Sequence, residues 1–143
     1  MARRILFDIN VLLDVLTERE PFYLLASELW AKAERREIEG VVAAASIPTT
    51  YYLLRHFAGH AKALTGVKMV RDIFEMIELD RSMIDQSIDS RFNDLEDAIQ
   101  ACAAARAKAE FIVTRDAKGF KKSDVPAISP EALMAMLSKR HPV

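Results

Sequence analysis

Arg4-Ile5-Leu6-Phe7-Asp8-Ile9-Asn10-Val11-Leu12-Leu13-Asp14-Val15-Leu16 places an acid directly behind a short apolar run and ahead of a second apolar stretch. Residues 4–8 have the length and hydrophobicity of a buried strand, and 10–16, apolar apart from Asn10 and Asp14, read as a first helix. The succession returns further on, where Phe111-Ile112-Val113-Thr114 reads as a strand and Arg115-Asp116 follows it. Open parallel sheets bind ligands outside the carboxyl ends of their strands, and both Asp8 and Asp116 fall at such ends.

Between these two points the pattern supplies helices and a further strand. From Pro21, apolar residues recur every three or four positions at Phe22, Leu25, Ala26, Leu29, Trp30 and Ala33. This predicts an amphipathic helix, for core or a subunit interface, with Pro21 in its first turn and Gly40 closing it. Residues 41–45 form a second buried strand, followed by helices over 49–57 and 61–77, broken near Gly59 and Gly66, and a shorter one over 80–89. Residues 93–109 read as a helix in which Asn93 is the N-cap and Glu96 completes a capping box, ahead of an alanine-rich body. A short strand at 127–129 and a helix from Pro130 to about Lys139 follow. Strands alternating with longer helices predict a three-layer α/β domain around a parallel sheet.

Composition bounds the setting. A chain of 143 residues with 51% hydrophobic content, no low-complexity tract and no repeat is expected to be one domain over 1–143, burying roughly 68 to 70% of the surface of its unfolded form. Its longest apolar runs, such as Val41–Ala45, fall far short of the roughly 20 residues of a membrane span. Asp8 interrupts the first run too early for a signal-peptide core, so a soluble, cytoplasmic chain is expected. The single cysteine, Cys102, excludes an internal disulfide and a Cys-rich zinc site, and its alanine neighbours predict a small buried side chain. A formal net charge of -1 excludes a uniformly basic nucleic-acid binder and leaves any RNA contact to a local patch.

A third acidic site lies on the helix over 93–109. At about 100° per residue, Asp94 and Asp97 lie about 60° apart and share a face with Ala101, while Glu96 and Gln100 read as pointing away. Singly, Asp94 is explained by the helix dipole, and Asp8 and Asp116 by turn or cap roles. Asp97 is less easily explained, because aspartate is a mediocre helix former beyond the first turn. Capping does not require every acid to fall on one side of the sheet. Asp14, Asp85 and Asp89 lack that placement and are expected to be solvated. Converging carboxylates without His or Cys suit a hard divalent cation such as Mg²⁺ rather than zinc, and such a site activates water against a phosphodiester.

Leu6-Phe7-Asp8-Ile9-Asn10-Val11-Leu12-Leu13 resembles the opening motif of PIN-domain ribonucleases, Asp94-Leu95-Glu96-Asp97-Ala98-Ile99-Gln100 their central acidic motif, and Ile112-Val113-Thr114-Arg115-Asp116 their third. The order and spacing match over nearly the whole chain, and the small bacterial proteins that include VapC-type toxins are the most similar subgroup. The resemblance implies an α/β/α PIN-like domain, Mg²⁺- or Mn²⁺-dependent endonucleolytic cleavage of RNA, homodimers and an antitoxin partner. It matches Asp8, Asp97 and Asp116 to metal-binding acids and Asn10 to the polar residue supporting the first. Thr114 and Arg115 fall in the turn before the last acid, where a hydroxyl is placed to orient Asp116 or a water.

The chain departs from the family pattern after its second strand, where these nucleases commonly carry a glutamate. No acid occurs between Glu39 and Asp72. Thr49 or Thr50 is the stand-in there, and Asp94 supplies further negative charge. The expectation is a site dominated by one metal, held by Asp8, Asp97 and Asp116 with Asp94 assisting, giving a 5′-phosphate and a 3′-hydroxyl. Arg115, Lys118, Lys121 and Lys122, or Arg55 with His56, are candidate phosphate contacts, and Tyr51 and Tyr52 are candidates for base stacking or burial. Two alternatives remain open. One is a PIN-fold RNA- or protein-binding module with little catalysis. The other is an Asp8-nucleophile phosphatase of the haloacid-dehalogenase kind, which normally carries a second aspartate where this chain has Asn10.

Overall fold

In the computed structural model, five strands pair in parallel: β1 (Arg4–Phe7), β2 (Glu39–Ala43), β3 (Glu75–Ile77), β4 (Phe111–Val113) and β5 (Ala127–Ile128), in the order β3-β2-β1-β4-β5. The structure describes residues 2–139; Met1 and residues 140–143, which the single-domain expectation includes, lie outside the described residues. Among the described residues, seven helices accompany the sheet: α1 (Ile9–Leu16), α2 (Tyr23–Glu34), α3 (Ser46–Ala58), α4 (His60–Ile73), α5 (Arg81–Ile88), α6 (Leu95–Arg106) and α7 (Pro130–Ser138), with a 3-10 turn at Ala117–Phe120.

Successive side chains of a strand face opposite ways, and this alternation builds the layers. Ile5 and Phe7 of β1 face one core with Val11 and Leu12 of α1, Leu29 and Trp30 of α2, and Leu133 of α7. Leu6 faces the other, with Val41, Ile112, Met83 of α5 and Ala101 and Ala104 of α6. The result is a three-layer α/β/α domain with a central parallel sheet, as the sequence indicates. Methyl side chains at Ala98, Ala101, Ala103 and Ala104 are buried, which lets the axis of α6 lie close to the sheet. No helix among the described residues is long and apolar enough to cross a membrane.

Several local expectations are corrected. Gly40 does not close α2, which ends at Glu34; it lies within β2, where a Cβ would stand 2.6 Å from the ring of Phe74. Phe74 packs edge-on against Phe7 and Trp30 at that spot, so Trp30 is core. Pro21 sits two residues ahead of α2 rather than in its first turn. The helix expected over 61–77 stops at Ile73, because the stripe Val70, Ile73, Phe74, Ile77 mimics helical spacing while Glu75–Ile77 in fact pairs with Val41–Ala43. Gly66 interrupts nothing: it lies inside α4, where a Cβ would stand 2.8 Å from Leu54 of α3. Gly59, at φ +91, does separate α3 from α4, in a conformation that glycine adopts without a Cβ penalty. The N-cap of α6 is Asp94, not Asn93. Cys102 is half-buried, its thiol directed at the Gln86 side-chain oxygen 3.2 Å away.

Candidate active site

The strand order reverses at β1, which has β2 and β3 on one side and β4 and β5 on the other. Such a switch point opens a crevice at the carboxyl ends of the strands. Phe7 is in register with Val113, and the Asp8 N–H donates to the Val113 carbonyl at 3.1 Å. The pairing therefore brings the residues after β1 and β4 to one edge.

Asp8 is 4% exposed, and both of its oxygens are bonded. Gln100 Nε2 of α6 donates to Oδ1 at 3.0 Å, and Thr114 Oγ1 donates to Oδ2 at 2.8 Å. Burial pushes the Asp8 carboxyl above its ordinary value, and these two bonds oppose the shift. The Thr114 oxygen also accepts the Asp116 N–H at 2.9 Å. One hydroxyl thus orients the first acid and the backbone of the third.

Asp97 stands in the first turn of α6, and its N–H donates to Asp94 Oδ1 at 2.9 Å, so part of Asp94 is committed to the cap. Burial raises the Asp97 carboxyl to about 6, with further upward pushes from Asp94, Asp8, Asp116 and Glu96. A Cβ at position 119 would lie 2.8 Å from Asp97 Oδ2 and 3.1 Å from Asp116 Oδ2. Both carboxylates therefore lean over the bare backbone of Gly119.

The remaining candidates are placed less centrally. Asn10 is exposed in the first turn of α1. Thr50 is fully buried, its hydroxyl donating to the Ser46 carbonyl at 2.7 Å, while Thr49 donates to Glu96 Oε2 at 3.0 Å and links α3 to α6. Arg115 makes two hydrogen bonds to Asp14, at 2.7 and 3.2 Å, and lies 3.9 Å over the Phe22 ring. Asp14 is consequently 1% exposed, not solvated as expected. Arg55 and His56 are exposed on α3, as is Tyr52, while Tyr51 is half-buried with its hydroxyl 2.6 Å from His60 Nδ1.

Three participants escaped sequence reasoning. The sequence turns Gln100 away from the acids, yet it follows Asp97 by three residues, the same separation that pairs Asp94 with Asp97 on one face. Its Nε2 grips Asp8, and its buried Oε1 has no partner among the described residues. Asp14 is buried because a cation 101 residues later pairs with it, a link that no local pattern carries. Gly119 had no signal beyond its nearness to Asp116.

Among the described residues, no three His, Cys, Asp or Glu side chains are grouped closely enough to hold a metal ion. The donor set nevertheless fits a hard cation: it is all oxygen, it has a fixed member in Asp8 and a facing pair in Asp97 and Asp116, and Mg²⁺ commonly takes only one or two carboxylates plus water and phosphate oxygens.

An acidic cleft at the switch point of a five-stranded parallel sheet, walled by one helix N-terminus and two strand ends, is the class of protein in view. Residues 4–118 match the family model described as the PIN domain, and the chain belongs to that family. It is 25% identical over 135 residues to Ribonuclease VapC1 of Aquifex aeolicus, covering 91% of this chain and 92% of that one. Among solved structures, VapBC2 from Rickettsia felis bound to a DNA fragment from their promoter matches with a TM-score of 0.66 at 12% identity, covering 88% of this chain and 98% of that one. A toxin-antitoxin complex from Klebsiella pneumoniae matches at 0.65 and 19% identity, covering 88% and 97%.

Proposed function

We propose that this chain is a Mg²⁺- or Mn²⁺-dependent endoribonuclease, the toxin of a toxin–antitoxin pair, working in the cytoplasm as a single-domain homodimer. The observation that carries this reading is the Asp8 carboxylate, buried and bonded at both oxygens, beside an Asp97–Asp116 pair facing across Gly119. Asp8, Asp97 and Asp116, assisted by Asp94, would hold the cation, which supplies an acidified water and charge neutralisation at the phosphodiester. Gln100 and Thr114 fix the rotation of the Asp8 carboxylate, so its oxygens are positioned before substrate arrives. Asp14 draws Arg115 away from these acids and leaves it holding the loop around Phe22. RNA is the substrate, and the toxin–antitoxin character of structural relatives supports an antitoxin as the protein partner.

The test is incubation of purified protein with a mixed structured-RNA pool and Mn²⁺, comparing wild type, Asp97→Asn and an EDTA control. Internal cuts bearing 5′-phosphates should appear with wild type alone. Cleavage by Asp97→Asn at the wild-type rate would remove Asp97 from the site.

A binding-module reading is favoured by one observation: α3 carries no acid, and the Thr50 hydroxyl is spent on its own helix. That reading requires RNA or partner binding with no cleavage at any Mg²⁺ or Mn²⁺ concentration.

A further inference from the structure

We propose that the cleft beside Asp97 is a subsite for a backbone phosphate of the RNA strand, adjoining the phosphodiester that is cut; this rests on the RNA-cleaving reading above. The segment between α5 and α6 and the residues around the 3-10 turn line a cavity of about 120 Å³, to which Arg91, Lys118, Lys121 and Lys122 contribute together with Asp94 and Asp97. Lys122 Nζ donates to the Arg91 carbonyl at 2.9 Å and clasps the two walls together. None of these four cations is in an ion pair with a described residue, whereas Arg115, the next cation toward β4, is fully engaged by Asp14.

Four positive side chains and two acids line the cavity together, and Gly119 of the same lining is the residue over which Asp97 and Asp116 lean. A nucleic-acid strand with its cut phosphodiester at those acids would bring a neighbouring phosphate to the cations of the same cavity. Lysines suit this task because an ammonium is a point charge that needs no fixed approach geometry, and backbone contacts of this kind set register without reading sequence. The cavity is small, and six of its nine lining residues are charged, which fits a phosphate group better than the aromatic or aliphatic anchors on which protein partners depend.

The experiment is fluorescence anisotropy of a labelled single-stranded oligoribonucleotide in EDTA, from 20 to 200 mM KCl, with Mn²⁺-dependent cleavage by wild type assayed in parallel. Three proteins are compared: wild type, the double variant Lys118→Ala with Lys121→Ala, and Lys62→Ala on α4, which packs against the opposite core. Each phosphate contact to a single strand contributes about 0.7 to the slope of log K against log salt. The double variant should therefore lose about 1.4 from that slope while melting as wild type does, and Lys62→Ala should lose nothing. An unchanged slope in the double variant, or an equal loss in Lys62→Ala, overturns the subsite. If wild type cleaves RNA and the lysines are silent, the subsite alone falls. If wild type neither cleaves nor binds, the ribonuclease reading falls with it.

Discussion

Asp97→Asn should make the metal-free protein more stable at neutral pH, which is the reverse of what losing a structural carboxylate does. Burial and three neighbouring aspartates raise the folded-state Asp97 carboxyl from 3.8 to about 6. Between these values the folded chain keeps a proton that the unfolded chain has lost, so stability falls as pH rises through the window and stays low above it. At about 1.36 kcal/mol per tenfold change the interval corresponds to about 3 kcal/mol, and solvent at the mouth of the cleft screens it to about 1 kcal/mol. Asparagine keeps the shape and removes the charge, while the backbone bond from residue 97 to Asp94 is untouched. Urea unfolding in EDTA at pH 4 and pH 7.5 measures the difference. The variant should match wild type at pH 4 and exceed it by about 1 kcal/mol at pH 7.5, roughly 4 °C in Tm for a chain of this size. Mn²⁺ at about 100 times its Kd should then stabilise wild type by about 2.7 kcal/mol and the variant less. A variant less stable than wild type at pH 7.5 in EDTA, or a gap independent of pH, would refute the reasoning.

Three other substitutions follow from the same geometry. Thr114→Val removes the donor to Asp8 and the acceptor for the Asp116 N–H; it should cost about 2 kcal/mol in urea unfolding and about 10- to 100-fold in RNA cleavage rate. Gly119→Ala directs a Cβ against the ends of the Asp97 and Asp116 side chains, so calorimetric Mn²⁺ affinity should fall at least about 10-fold while the melting temperature in EDTA holds. Arg115→Met leaves Asp14 buried without its partner and should cost about 3 kcal/mol. Asp14→Asn should cost less, because the Arg115 side chain is 24% exposed and reaches water.

Strand ends were the most legible part of the chain. Ile5-Leu6-Phe7 and Phe111-Ile112-Val113 are uniformly apolar because both faces of a parallel strand are covered, and the residue that breaks each run marks the edge of the sheet. The meeting of Thr114, Asp8 and the Asp116 backbone could be anticipated from that, since one pairing register fixes all three. Illegible features depended on partners distant in sequence. Phe74 looked helical because its role, to fill the space above Gly40, is visible only once β2 is laid beside β3. Asp14 looked solvated because burial of a charge is decided by the cation that meets it. Gln100 is a different case: its angle about the helix was computable, but an amide among alanines carries no mark of whether it faces a carboxylate or water.

The parallel pairing of β1 with β4 joins residues whose separation is 106, as in Leu6 with Ile112. Non-local pairings of this span close late in folding. A chain still emerging from the ribosome therefore carries Asp8 106 residues ahead of Thr114, the donor that completes the grip on it. On the ribonuclease reading, Asp8 is set for chemistry only after β4 has slotted in beside β1.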